Sequence, residues 1–191
     1  MTAAKFNEGG AALANRVADY YDWVKGTAGG KKSVYTRQNP VFGFDVEEGW
    51  SVYWKTIAVM DGYDGWSDAS HPRPRPMLDF GAAENGSCDS SACTGGSDWT
   101  RAHRLEVAWG NRHAPCPQIY SAIMSGNWWI PLEQYANTHG GLMNFYCVMT
   151  EKAPGTFTPS RGWIQLHSDL ADFGWGHWLR RRLTKIRFTG S

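Results

Sequence analysis

Apolar residues recur at helical spacing near the start of the chain and at strand spacing shortly after it. Leu13, Val17 and Val24 fall on one face of a helix, and Gly26 ends that predicted helix. Residues 41–47 instead alternate apolar with small or acidic side chains, which predicts a strand. Further helices are predicted at residues 51–60, from Asp98 or Thr100 to Gly110, from Asn127 to Gly140 and from Thr158 onward. Further strands are predicted at 77–80, 118–121, 142–150 and 183–188.

Alternating helices and strands are typical of βα units around a parallel sheet. The pattern contains five or six strands, whereas a closed eight-stranded barrel usually needs about 250 residues. We therefore expect a single α/β domain over residues 1–191 with a (β/α) TIM-barrel-like fold that is incomplete or truncated. An open sheet is the alternative. In either architecture, ligands bind at the C-terminal ends of the strands.

Acidic side chains are found at these strand ends. Asp45 and Glu47 are two positions apart, so they point to the same face of their strand, and Asp79 ends the next strand. Two neighbouring carboxylates raise the pKa of one member, which lets a site use one as an acid and the other as a base. Alternatively, the pair simply precedes the next helix, whose N-terminus favours negative charge. Later strands end near three further candidates, namely Tyr120, Tyr146 and Glu151.

Composition narrows the function only modestly. The net charge of +1 does not indicate nucleic acid as a partner. Eleven Trp residues among 191 could serve as platforms for sugars or as large core residues. No apolar run approaches the ~20 residues needed to span a bilayer, and residues 1–10 lack the apolar stretch of a signal peptide. We expect a soluble chain with no membrane partner and no cofactor.

The four cysteines stand at positions 88, 93, 116 and 147. Cys88 and Cys93 flank a short polar loop, for which a local disulfide is the simplest interpretation and a zinc site the alternative. Cys116 and Cys147 could bridge neighbouring strands or remain buried thiols. The even number of cysteines favours an oxidising compartment. No other spacing of histidines or cysteines indicates a metal site.

Five short motifs, taken in order, resemble one known group of proteins. They are GFDVEEGW at 43–50, LDFGAA at 78–83, VAWG at 107–110, PQIY at 117–120 and VMTE at 148–151. Over roughly residues 40–170 the chain resembles the glycoside-hydrolase-like barrel domains of secreted, mostly actinobacterial proteins, and more distantly the family-25 muramidases. The resemblance implies a (β/α) barrel with a carboxylate site at its rim, a carbohydrate ligand and a secreted or cell-wall location. The chain departs from that pattern at Gln118, where the family has an acidic residue, and in lacking the N-terminal strands.

Two hypotheses for function follow. The first is a glycoside hydrolase acting on a polysaccharide, in which Glu47 is the acid, Asp79 is the nucleophile or base, and Asp45 keeps the pKa of Glu47 high. Substrate contacts would come from five residues, unless the tyrosines merely pack at strand ends: Trp50, Trp109, Tyr120, Tyr146 and Glu151. The second is a non-catalytic carbohydrate-binding or cell-wall module, whose exposed sheet edge a second copy of the chain would cover as a homodimer. A nucleophilic hydrolase built on Ser121 is a weaker option, because the sequence has no Gly-x-Ser-x-Gly elbow.

Overall fold

A computed structural model of the chain describes residues 1–27, 42–48, 52–83, 98–110, 113–145, 147–150 and 153–174. These ranges contain α1 (Ala3–Thr27), β1 (Gly43–Phe44), α2 (Tyr53–Asp64), β2 (Met77–Asp79), α3 (Arg101–Ala108), β3 (His113–Pro115), a π-helix (Met124–Trp129), α4 (Ile130–His139) and α5 (Pro159–Asp172). All five predicted helical regions are confirmed. None of the helices described is both long and apolar enough to cross a membrane.

Two of the helix starts follow directly from local sequence. The Thr100 hydroxyl accepts a hydrogen bond from the His103 N–H at the start of α3, at 3.2 Å. The Thr158 hydroxyl accepts one from the Arg161 N–H at the start of α5, at 3.3 Å. Pro159 then occupies the first turn of α5, where its missing N–H would have no helical partner. These contacts depend only on residues a few positions apart, so the sequence pattern locates them.

The sheet is smaller than the sequence pattern predicts. The expected TIM-barrel-like arrangement of five or six strands is wrong: the described residues form a small α/β domain with a three-stranded parallel sheet in the order β1-β2-β3. In this sheet Gly43 pairs with Leu78 and Phe44 with Asp79. The pairing of β2 with β3 runs from Met77 opposite His113 to Asp79 opposite Pro115.

The strands predicted at 118–121 and 142–150 do not extend this sheet. Among their described residues they meet at a parallel bridge between Gln118 and Met149. There the Ile119 N–H donates to the Met149 carbonyl at 2.9 Å, and the Met149 N–H donates to the Pro117 carbonyl at 2.8 Å. Pro115 and Pro117 have no N–H to contribute to a ladder, so continuous pairing stops after β3. The predicted strand at 183–188 lies outside the described residues.

The buried apolar residues form two main clusters. The first lies between α1, α2 and the sheet and includes Tyr21, Tyr63 and Trp99. The second lies between α4, α5 and the π-helix and is centred on Trp129 and Leu166. Burial of these surfaces supplies the main stabilising free energy of the fold.

A disulfide joins Cys116, just after β3, to Cys147, just before the bridge at Met149. Their Cα atoms are 4.7 Å apart, and the two sulfurs pack with Leu78 in a third, smaller buried cluster. Of the two possibilities for this pair, the structure therefore shows the bridge between neighbouring extended segments. The predicted disulfide between Cys88 and Cys93 lies outside the described residues.

Candidate functional site

Asp45 and Glu47 follow β1 and share one hydrogen-bond donor. The Gln118 side-chain amide donates to Asp45 Oδ1 at 2.8 Å and to Glu47 Oε1 at 3.5 Å. An amide nitrogen carries two hydrogens, which is one for each carboxylate. Asp45 is exposed and Glu47 half-buried, whereas Gln118 is almost wholly buried. We call these three residues the carboxylate pair and its amide.

The backbone around Gln118 explains why its side chain is well placed for this contact. The parallel bridge to Met149 and the flanking hydrogen bonds hold the extended segment that carries Gln118 beside the C-terminal end of the sheet. Asp45 and Glu47 lie beyond the end of β1, which is shorter than the strand predicted at 41–47, and their contacts with one amide nitrogen bring the two carboxylates close together. The chain thus brings together carboxylates and an amide separated by more than seventy positions.

Asp79 belongs to a different environment. In a parallel sheet, residues paired across two strands share a face, so Asp79 points to the same face as its partner Phe44. Asp79 is fully buried, its Oδ2 accepts from Arg104 Nη2, and its Oδ1 accepts from the Gly81 N–H at 3.0 Å. The structure therefore places the predicted nucleophile in a fully buried position, where Arg104 and the Gly81 N–H hold its carboxylate.

Arg104 on α3 is the cation of this buried environment. Its side chain is inaccessible, and its Nε lies 3.5 Å from Oε1 of Glu48, a carboxylate that is also buried. Its guanidinium lies over the Trp129 ring, 5.4 Å from the ring centroid. One arginine is thus paired with two carboxylates, Asp79 and Glu48, and covered by an aromatic face. We call these four residues the buried arginine cluster.

The two groups of residues influence each other electrostatically. Burial raises the pKa of the Asp45 carboxyl, the negative charge of Asp79 raises it further, and Arg104 opposes both effects. Burial also raises the pKa of Asp79, while Arg104 and the Gly81 N–H act in the opposite direction. Asp45 is therefore the solvent-exposed carboxyl of the pair, and its pKa is raised.

Two of the predicted substrate-binding residues, Trp109 and Tyr120, lie within the described ranges. Trp109 ends α3 half-buried and packs against the second core cluster. The backbone of Tyr120 is tied down, since its carbonyl accepts from the Phe157 N–H at 3.0 Å and its N–H contacts Met124 Sδ at 3.3 Å. Trp50, Tyr146 and Glu151 lie outside the described residues.

Sequence reasoning missed Arg104 and treated Gln118 only as a departure from a family pattern. A signal for Arg104 is present in α3, where it stands three and four positions before the buried Val107 and Ala108. An arginine on the apolar stripe of a short helix indicates a buried acidic partner. No comparable local signal predicts which carboxylates the Gln118 amide would contact.

The arrangement suits proton transfer better than metal chemistry. Among the residues described, no group of three or more His, Cys, Asp or Glu side chains is disposed to hold a metal ion. The carboxylate pair instead combines Asp45, whose pKa is raised and which accepts the shorter bond from the Gln118 amide, with Glu47, which the same amide reaches at 3.5 Å. Such a pair can donate a proton from one member while the other acts as a base or nucleophile.

Comparison of the chain with protein-family models, with curated proteins and with solved structures finds no match. The resemblance to glycoside-hydrolase-like barrels therefore stays a prediction from the sequence. The function must be argued from the geometry of the carboxylate pair.

Proposed function

We propose that this protein is a carbohydrate-active hydrolase that cleaves glycosidic bonds in a polysaccharide, with Asp45 and Glu47 as its reacting carboxylates. The observation that carries the proposal is their shared contact with the Gln118 amide. Because both bonds end at one nitrogen, the separation of the two oxygens cannot exceed the combined bond lengths. That limit falls short of the ~6.5–9.5 Å of inverting glycosidase pairs and admits the ~5–5.5 Å of retaining pairs.

Glycosidic cleavage needs one carboxylic acid to protonate the leaving oxygen and a second carboxylate as nucleophile or as base for water. We assign Asp45 as the acid, because burial and Asp79 raise its pKa. Glu47 is then the nucleophile or base. This assignment reverses the role that the sequence suggested for Glu47 and moves the second role away from Asp79.

Asp79 supports this chemistry from a buried position. A nucleophile must reach the sugar, and Asp79 is fully buried and held by Arg104. Its charge nevertheless raises the pKa of Asp45. We therefore assign Asp79 as a positioning residue that keeps Asp45 protonated at higher pH.

One observation favours a second candidate function, a non-catalytic carbohydrate-binding module. The Gln118 amide donates one N–H towards each carboxylate, so both act as hydrogen-bond acceptors. A pair of neighbouring carboxylate acceptors also suits the hydroxyl donors of a sugar. In this reading the exposed Asp45 binds a sugar without protonating it.

A reducing-end release assay on insoluble cell walls and soluble glucans tests the proposal. We expect wild type to release reducing ends, and Asp45→Asn and Glu47→Gln each to lower the rate by about 10²–10⁴-fold, as loss of a general acid or base does. Asp172→Asn provides the matched control, because Asp172 is an exposed carboxylate at the end of α5. Its rate should equal that of wild type.

The same reactions separate the two functions. Retention of wild type on a polymer without release of reducing ends would reject the hydrolase and favour the binding module. Release that persists in both Asp45→Asn and Glu47→Gln would show that the carboxylate pair is not the reacting pair. A slower rate in Asp79→Asn, with its pH optimum moved to lower pH, is expected for a positioning residue.

A further inference from the structure

A cavity of about 230 Å³ opens between α1, α2 and the sheet, and Asp45 of the carboxylate pair is among the residues that line it. Its volume exceeds that of the ~150 Å³ apolar protein cavity known to take up benzene. Its walls come mainly from apolar side chains of both helices and of the strands, among them Phe6, Leu13, Phe44, Val59, Met60 and Met77. A space of this size and lining suits a single aromatic ring.

The polar groups on the walls are engaged, with one exception. The Tyr63 hydroxyl donates to the Arg75 carbonyl at 2.9 Å, and the Asp45 carboxylate accepts from Gln118. Thr56 Oγ1 lies 3.5 Å from the Val52 carbonyl. Lys55 differs, because its ammonium makes no ion pair within the part of the chain that the structure describes.

The Lys55 ammonium lies beside the aromatic wall of the cavity. Its Nζ is 5.9 Å from the centroid of the Phe6 ring and 5.6 Å from that of the Trp54 ring. Phe6 also lines the cavity, so the positive charge stands at the Phe6 end of a mainly apolar space. The two rings limit the directions that the ammonium can take and keep it near this end.

We propose that this cavity binds a small aromatic carboxylate, with its ring among the apolar walls and its carboxylate on Lys55. The apolar walls favour an uncharged ring, and the cation at one end favours an anionic group over a neutral one. Asp45 borders this cavity as well as belonging to the carboxylate pair, but occupation of the cavity by a small aromatic carboxylate does not depend on whether the protein cleaves a glycan.

Titration of the full chain with benzoate, followed by methyl NMR, tests the proposal. We expect saturable shifts at the methyl groups of Leu13, Val59 and Met60, which line the cavity. Lys55→Gln should weaken benzoate binding about tenfold. Lys5→Gln is the matched control, because Lys5 is an exposed lysine of α1 whose partner is Glu8, and it should bind like wild type.

Benzyl alcohol, a neutral molecule of similar shape, separates charge recognition from simple filling of the cavity. It should bind wild type about tenfold more weakly than benzoate and bind Lys55→Gln as it binds wild type. Equal affinity of wild type and Lys55→Gln for benzoate would overturn the assignment of Lys55. Shifts that do not saturate, or that occur only at methyl groups outside the cavity, would overturn the site itself.

A cavity-filling variant gives an independent check. Val59→Phe should abolish the benzoate shifts at Met60 while leaving the helical circular dichroism of the chain unchanged. Retained saturable binding in a folded Val59→Phe protein would contradict the proposal. If the larger side chain prevents folding, the comparison of Lys55→Gln with Lys5→Gln decides the matter.

Discussion

Arg104 balances the charge of two buried carboxylates, and its removal provides the first prediction. Arg104→Met leaves Asp79 and Glu48 inside the protein without their cation. We expect the free energy of unfolding, measured in urea at neutral pH, to fall by about 3–5 kcal/mol, as in other cases where one partner of a buried pair is removed. Arg16→Met is the control, because Arg16 is exposed on α1, and it should change stability by less than about 0.5 kcal/mol.

The pH dependence distinguishes lost charge balance from lost packing in Arg104→Met. Protonation removes the negative charges of Asp79 and Glu48, so the difference in stability between the variant and wild type should narrow as the pH is lowered. A difference that stays constant from neutral to acidic pH would mean that Arg104 acts mainly through its contact with Trp129.

Glu133 on α4 provides a second prediction at the level of one side chain. It is buried, and burial raises the pKa of its carboxyl from 4.5 to about 8, opposed only in part by the Met143 N–H, which donates to Oε2 at 3.1 Å. The folded state therefore holds a proton that the unfolded state loses above pH 4.5. Its contribution to stability is complete below pH 4.5 and is lost as the pH rises towards about 8.

Glu133→Gln should remove this dependence. The free energy of unfolding of wild type should fall by up to about 1.4 kcal/mol per pH unit from this group alone, and the variant should be the more stable protein at pH 8. Denaturant titrations at a series of pH values measure both curves. Glu8→Gln, a change at an exposed carboxylate of α1, should keep the wild-type dependence. Parallel curves for wild type and Glu133→Gln would refute the assignment.

The crossing of α1 and α2 depends on glycine at particular positions. A Cβ added at Gly10 would lie 1.9 Å from the Val59 carbonyl oxygen, and one added at Gly62 would lie 1.9 Å from the Asn7 carbonyl oxygen. Both contacts are with backbone, which cannot move aside as a flexible side chain can. The two helices therefore approach each other at their glycines.

Neighbouring glycines of α1 make a matched test of this crossing. Gly10→Ala should lower the free energy of unfolding by about 1–3 kcal/mol or more through overpacking. Gly9 has nothing within 4 Å of an added Cβ, so Gly9→Ala should raise it by up to about 1 kcal/mol through helix propensity. Thermal unfolding of the two variants measures the contrast. Equal effects of the two substitutions would show that the crossing is not tight at Gly10.

These glycines also explain why the sequence pattern predicted the start of α1 poorly. The pattern indicated a helix from Leu13 to Gly26, whereas α1 begins at Ala3. Gly9 and Gly10 look like helix breakers in isolation, but Gly10 is needed for contact with α2. In contrast, the start of α5 at Thr158 and Pro159 was predictable, because capping depends on adjacent residues alone.

The disulfide between Cys116 and Cys147 stabilises the whole molecule. It closes a loop with a sequence separation of 31, which contains the π-helix and α4. A loop of this length stabilises a folded chain by about 3–4 kcal/mol, mainly by restricting the unfolded state. We expect the double variant Cys116→Ala, Cys147→Ala to lose that amount in a denaturant titration under oxidising conditions.

Reduction of the wild type provides the complementary measurement. If Cys116–Cys147 carries the effect, wild type in excess reductant and the oxidised double variant should have similar midpoints of unfolding. An oxidised double variant as stable as oxidised wild type would show that this bridge contributes little. Mass spectrometry of the digested protein confirms the Cys116–Cys147 pairing before the titrations.

Two features follow from residues close together in sequence. One is the two-residue spacing of Asp45 and Glu47, and the other is the set of helices. Extended chain projects every second side chain to one face, and helix spacing and capping act over three or four positions. These local interactions do not depend on which distant elements pack against them. For this reason the carboxylate pair could be identified before its partner was known.

Contacts between residues far apart in the chain were determined only by the packing of the helices and strands. The register that sets Phe44 opposite Asp79 places the Asp79 carboxylate where Arg104 pairs with it. The bridge at Met149 brings Gln118 to both carboxylates, and the sheet stops after three strands within the described ranges. The same packing selects the disulfide for Cys116 and Cys147. Register and pairing depend on contacts between distant residues, and a slip of one position reverses the face of every side chain, so local periodicity cannot determine them.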